Sequence, residues 1–250
     1  MSHVAASAGS AAATSSAAAA AIHGVDQRSP LVRFEHPALG PTPVEVEQCG
    51  AGSAGFVADT SSVLWACAPL LARHLCGAPD LVRGKRCVEL GAGIGLVGAV
   101  AAALGAARVV LTDVADAQPL LRRNAARAGA LEARELLWGD AAHIAACGAA
   151  QFDVVLGADI LYHQEAADVE KLVQTMSSLL APGGCVLLAY EFRFDWETTR
   201  SFYEICAACG LADEQRALAD ADEDDQILIV LRRVSDGGGG GGAPAAADAT

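Results

Sequence analysis

The chain has 250 residues, 53% of them hydrophobic and 19% charged, with a formal net charge of −13. That charge argues against a nucleic-acid backbone as the main partner, because phosphate binding needs a basic surface. No run reaches the ~18 continuous apolar residues of a membrane span, so a basic protein or a small cationic group is the partner that fits.

Residues 1–21 are almost all Ala, Ser and Gly and hold no aromatic residue to build a core. A tail is therefore expected over 1–27, and a second over 235–250, which carries the unbroken Gly237–Gly242 run. One domain is left, 28–234, a normal size for an α/β unit with a buried sheet. The first basic side chain is Arg28, so neither a signal peptide nor a transit peptide is expected. The eight cysteines lie mostly within apolar segments, as suits reduced core thiols in the cytoplasm or nucleus. Cys206 and Cys209 form the one close pair, with no second pair or histidine nearby, and no metal site is expected.

Along the chain, Leu31–Phe34 and Val44–Val46 suggest a small hairpin, and Leu64–Leu75 an amphipathic helix; together they form an N-terminal part over 28–80. Strands follow at Arg86–Leu90, Arg108–Thr112, Ala133–Trp138, Phe152–Gly157 and Cys185–Tyr190. Helices lie between them at Leu96–Leu104, Asp116–Ala128, Ala141–Cys147 and Glu165–Leu180. The first, second and fourth strands are continuous and β-branched, the mark of burial on both faces. Repeated strand–helix units predict right-handed crossovers and a parallel sheet covered by helices on both sides.

After the fifth strand the pattern changes. Trp196–Cys209 is a helix stopped by Gly210. Leu211–Ala217 and Gln226–Val234 are strands joined by a loop that holds the acidic run Asp220–Asp225, read as a solvated face. Two strands joined without a helix form a hairpin, so one must run antiparallel to the sheet. The expected fold is α/β and Rossmann-like, with seven strands, mostly parallel.

The turn Glu89-Leu-Gly91-Ala-Gly93-Ile-Gly95-Leu-Val-Gly98 lies between the first central strand and its helix. Glycines there let a ligand approach the backbone at the carboxyl edge of the sheet, where the helix offers free N–H groups. Gly93-x-Gly95-x-x-Gly98 also matches the dinucleotide fingerprint, and Asp113 ends the second strand, where the ribose of either cofactor would be held. Glu89, two positions before the first glycine, gives the E-x-G-x-G-x-G form that favours S-adenosylmethionine, as does the terminal strand pair. A nicotinamide or flavin enzyme is the alternative.

Further elements follow in order: Val63-Leu-Trp65, Val88-Glu-Leu-Gly-Ala-Gly93, Val109-Val-Leu-Thr-Asp113, Asn124, Leu137-Trp-Gly139, Phe152 through Asp159-Ile-Leu-Tyr162, and Ala189-Tyr-Glu-Phe-Arg193. From about Phe34 to Arg193 the chain resembles the seven-strand protein-lysine methyltransferases of methyltransferase family sixteen. That group also includes a few histidine and arginine methylators. The resemblance implies that Trp65 and Gly91-Ala92-Gly93 line the methionine end of S-adenosylmethionine, with Glu89 and Gly95 in the same cofactor loop. It implies that Asp113 accepts bonds from the ribose hydroxyls, that Trp138 stacks on adenine and that Ala158 packs beside the cofactor. Asp159 and Tyr162 match the D-x-x-Y/F signature at the substrate entrance.

Residue chemistry is consistent with these roles. An indole offers a rigid face to a purine, worth roughly 1–3 kcal/mol. A carboxylate ending an apolar strand, as at Asp113 and Asp159, needs a partner to justify its burial. Asp159 can orient an incoming ammonium, and Tyr162 can shape the channel by cation–π contact. Both tryptophans also have an ordinary reading as core, Trp138 closing a strand and Trp65 on a helix face. The resemblance implies a protein substrate with a lysine side chain; the charge and the absence of a long apolar run argue against nucleic acid and membrane, and a monomer is expected. Histidine, arginine or a small amine as acceptor, or binding without turnover, remains open.

Overall fold

The computed structural model describes residues 21–22, 25–49, 60–129, 131–162, 164–192, 195–218 and 226–234. Of the expected tail over 1–27, residues 1–20 and 23–24 lie outside them, as do the expected tail over 235–250 and the acidic run. The chain is tied to the domain earlier than residue 28. Ala21–Ile22 pairs antiparallel with Val25–Asp26. The Gln27 side chain donates to Leu64 O (2.7 Å), and that of Gln48 to Asp26 O (2.8 Å).

The N-terminal hairpin pairs β1 (Leu31–Phe34) with β2 (Val44–Glu47). Helix α1 spans Cys67–Gly77, three residues later than Leu64. Pro69 gives the reason: its ring would clash with the Trp65 carbonyl in a helix begun at Leu64, but it is tolerated in a first turn that starts at Cys67. Trp65 therefore precedes the helix rather than lying on its face.

Next come β3 (Arg86–Leu90), α2 (Leu96–Ala103), β4 (Arg108–Asp113), α3 (Gln118–Arg127) and β5 (Glu132–Glu135). Strand β5 is shorter than expected. Gly139 adopts φ +79 and Asp140 N donates to Leu137 O (3.1 Å), so Trp138 sits on a turn beyond the sheet instead of closing a strand. Helix α4 (Ala141–Cys147), β6 (Phe152–Ala158) and α5 (Ala166–Leu179) lead to β7 (Leu180–Glu191). Strand β7 starts five residues before Cys185, because Leu180 pairs with Phe152 across an irregularity in register. Helix α6 (Trp196–Ala208), β8 (Leu211–Ala217) and β9 (Gln226–Arg233) complete the chain.

The seven strands lie in the order β8-β9-β7-β6-β3-β4-β5. From β7 to β5 all neighbours are parallel, and β9 runs antiparallel to both β7 and β8, as the hairpin argument required. Side chains alternate across the sheet. Cys87, Leu111, Leu156 and Leu187 pack with α1, α2 and α3 on one face. Val88, Val110, Val155 and Leu188 pack with α5 and α6 on the other. Chain order reverses beside β3: the path runs outward through β4 and β5, then returns to place β6 on the other side. Open α/β sheets bind ligands at the carboxyl end of such a switch point.

Candidate active site

A cavity of about 870 Å3 opens at that carboxyl edge, within the size range of small-molecule sites. Its wall contains Trp65, Glu89, Gly91, Ala92, Gly93, Asp113, Trp138, Ala158, Asp159 and Tyr162. Gly95 is not in the wall. It starts α2 at φ +81, and a Cβ there would lie 2.9 Å from Leu111 and 3.0 Å from Leu121. Gly95 thus packs beneath the turn that carries Gly91, Ala92 and Gly93.

Gly91 marks the closest approach of the turn to the neighbouring loop. Its φ is +56, and an added Cβ would stand 2.7 Å from Ile160 Cγ2. The turn is welded to the end of β4. Ala92 N donates to Thr112 O (2.9 Å), and the Thr112 hydroxyl donates to Glu89 O (2.7 Å). The Asp113 carboxylate accepts from Gly93 N at Oδ2 and from Val114 N at Oδ1, both at 2.7 Å. A carboxylate oxygen can accept more than one donor, so a carboxylate fixed in this way has the chemistry to take a vicinal diol.

Glu89 is 3% exposed and accepts from Gly98 N at 2.8 Å. Burial pushes its carboxyl up to about 8; the Gly98 N–H works against that rise, and the nearby Asp113 charge adds to it.

The Trp138 turn is fastened from two helices. Gly139 N donates to the Thr175 hydroxyl of α5 (2.8 Å). Asp140 caps α4, accepting from Ala142 N and His143 N, each at 2.9 Å. The indole is half-buried against the core of that face. Across the cavity, Trp65 is oriented by donation from its ring N–H to Thr60 O (2.7 Å).

Asp159 follows β6 at φ +55, a left-handed conformation uncommon outside glycine. Its backbone N donates to Ala189 O of β7, and its Oδ2 accepts from Cys67 N at the start of α1, both at 3.0 Å. The carboxylate therefore joins β6 to the N-terminus of α1 while forming part of the wall. Tyr162 is 42% exposed at the rim.

Two residues contribute more than the sequence reading assigned to them. Asn124, quoted only as part of a motif, is 1% exposed. It binds Glu47 N (2.8 Å), Glu47 O (2.9 Å) and Ile94 O (2.8 Å), tying the hairpin to the glycine turn. Glu191, buried at the end of β7, has a carboxylate oxygen within 4.8 Å of ligand-type atoms of Cys67 and Asp159. The signal that singled out Asp159, an acid ending an apolar strand, was present there too.

A family model described as "Lysine methyltransferase" matches residues 47–206. Among individual proteins, the chain is 39% identical over 142 residues to protein N-lysine methyltransferase METTL21A of Danio rerio, covering 54% of this chain and 62% of that one. It is 32% identical over 166 residues to protein N-terminal and lysine N-methyltransferase EFM7 of Candida glabrata, covering 61% and 64%. The chain thus spans less than two thirds of the length of these relatives. An S-adenosylmethionine-dependent methyltransferase structure from Mesorhizobium loti superposes with a TM-score of 0.53 at 18% identity, covering 67% of this chain and 98% of that one, which speaks for the fold alone. The family match starts at the end of β2 and reaches into α6, taking in every wall segment described above, and on it the chain belongs to the lysine methyltransferase family.

Proposed function

We propose that this protein transfers a methyl group from S-adenosylmethionine to the ε-amine of a lysine in another protein. The observation that carries the reading is one cavity whose wall holds two differently fixed strand-end acids, Asp113 and Asp159. At one end stands Asp113, fixed by two backbone N–H groups beside a close-approach glycine turn. At the other stands Asp159, in the wall next to Ala158 and the rim residue Tyr162. The lysine methyltransferase family and relatives named as protein N-lysine methyltransferases support lysine as the acceptor.

In this reading Asp113 takes the ribose hydroxyls, Trp138 stacks on adenine, and Gly91, Ala92, Gly93 and Trp65 enclose the methionine end. Glu89 braces the turn from below. The cofactor supplies an electrophilic methyl group on sulfur. Lysine, with a reference pKa of ~10.4, arrives protonated and cannot attack in that form. Asp159 attracts and orients the ammonium, and its proton leaves to water or to a base before attack. With the cofactor bound, Asp159 and Tyr162 would align the neutral nitrogen with the methyl group that the sulfonium would supply. Tyr162 flanks the channel with its ring face.

Among the described residues no helix is long and apolar enough to cross a membrane. Buried cysteines outside any disulfide, such as Cys76 and Cys87, suit the cytoplasm or nucleus, and the net charge suits a basic protein substrate acted on by a monomer. The test is incubation of cell lysate with the pure protein and methyl-labelled S-adenosylmethionine, then mass spectrometry of the labelled band. Label on lysine is expected. Label on histidine or arginine would move the acceptor, and bound cofactor with no transfer would make this a binding protein.

A further inference from the structure

Glu191 ends β7 as Asp159 follows β6, on neighbouring parallel strands. Along β7, Leu187 and Ala189 pack on the α1 side of the sheet, and Leu188 and Tyr190 on the other. By that alternation Glu191 faces the N-terminus of α1, where Cys67 N already donates to Asp159. The acid oxygens of Glu191 and Asp159 and the Cys67 sulfur come within 4.8 Å of one another. Asp159 belongs to the cavity wall and Glu191 stands behind it, 7% exposed.

Two adjacent buried carboxylates repel each other, and the positive end of the 11-residue helix α1 offsets that repulsion. The geometry has two consequences. A like charge behind Asp159 disfavours its rotation inward, away from the cavity. It also deepens the negative potential that a cation meets beside Asp159.

We propose that Glu191 is a positioning residue for the acceptor amine: it holds Asp159 toward the cavity and adds a second negative charge behind it, so that the acceptor nitrogen is drawn in as a cation and aligned. This rests on the methyltransferase reading above.

A pair of nucleosides tests it without a protein substrate. S-adenosylhomocysteine carries no charge at sulfur. Sinefungin replaces the sulfur with a carbon bearing an ammonium, placing a cation where methyl and acceptor meet. Calorimetric titration of the full chain should show that Glu191→Gln leaves S-adenosylhomocysteine affinity unchanged and lowers the relative preference for sinefungin by about tenfold. Glu191→Asp, which keeps the charge, should retain most of that preference. An unchanged preference in Glu191→Gln, an equal loss of both ligands, or no retention in Glu191→Asp overturns the proposal while leaving the methyltransferase reading standing. Binding of neither nucleoside by the natural protein overturns that reading and the proposal together.

Discussion

Replacing Glu89 by Gln should remove a pH dependence of stability that the buried carboxyl imposes on the ligand-free protein. Its folded value of about 8 stands against an ordinary 4.5. Between those limits the unfolded chain has released the proton and the folded chain still holds it. Stability contributed by the neutral carboxyl is therefore complete below about 4.5 and lost as pH rises toward 8. At 1.36 kcal/mol for each tenfold in acidity, the gap sets a ceiling of about 5 kcal/mol. In a domain of this size that corresponds to roughly 10 °C in thermal midpoint. Glutamine keeps the shape and an oxygen for Gly98 N, and it carries no proton to lose. The assay is thermal unfolding of both proteins at pH 5, 6, 7 and 8 and fixed ionic strength. Glu132 and Asp153, held near 2 chiefly by the hydrogen bonds of Arg108 and Arg86, are ionised throughout this window and cancel in the comparison. The variant should gain on the natural protein steadily from pH 5 to pH 8. A difference that stays flat would falsify the neutral, buried carboxyl.

Three further substitutions separate the parts of the site. Asp113→Ala removes the acceptor for Gly93 N and Val114 N and should weaken S-adenosylhomocysteine by about ten- to hundred-fold in titration; an unchanged affinity would move the ribose elsewhere. Asp159→Asn keeps a polar acceptor for Cys67 N and tolerates the left-handed backbone, so nucleoside binding and folding should persist. Methyl transfer to the identified substrate should still fall by roughly ten- to hundred-fold in kcat/KM, and normal turnover would make the carboxylate structural. Asn124→Ala strands three backbone partners at 1% exposure and should cost about 2–4 kcal/mol in denaturant unfolding, against a few tenths for a surface asparagine.

The central sheet was legible because its strands are continuous apolar runs with glycine or helical segments between them, and their edges were read to within a residue or two at β3, β4 and β6. Errors fell where tertiary bonds override local pattern. Leu136, Leu137 and Trp138 form an apolar run directly after β5, yet the turn bonded to Thr175 and leading into α4 takes Trp138 out of the sheet. At β7 the strand was expected from Cys185, but Leu180 already pairs with Phe152, a contact 28 positions apart that no local pattern shows. Within the site, residues on strand ends and in the glycine turn were recognised by spacing. Motif spacing alone does not say which glycine of the turn lines the cavity and which, like Gly95, packs against Leu111 and Leu121. The bond from Cys67 N to Asp159 spans 92 positions of sequence, and a contact that distant leaves no local pattern to read.

The most direct test of the account is titration of the natural protein with S-adenosylhomocysteine and, separately, with NAD. The account predicts saturable binding of S-adenosylhomocysteine, lost on Asp113→Ala, and no heat from NAD. Saturable NAD binding with no S-adenosylhomocysteine signal would contradict it.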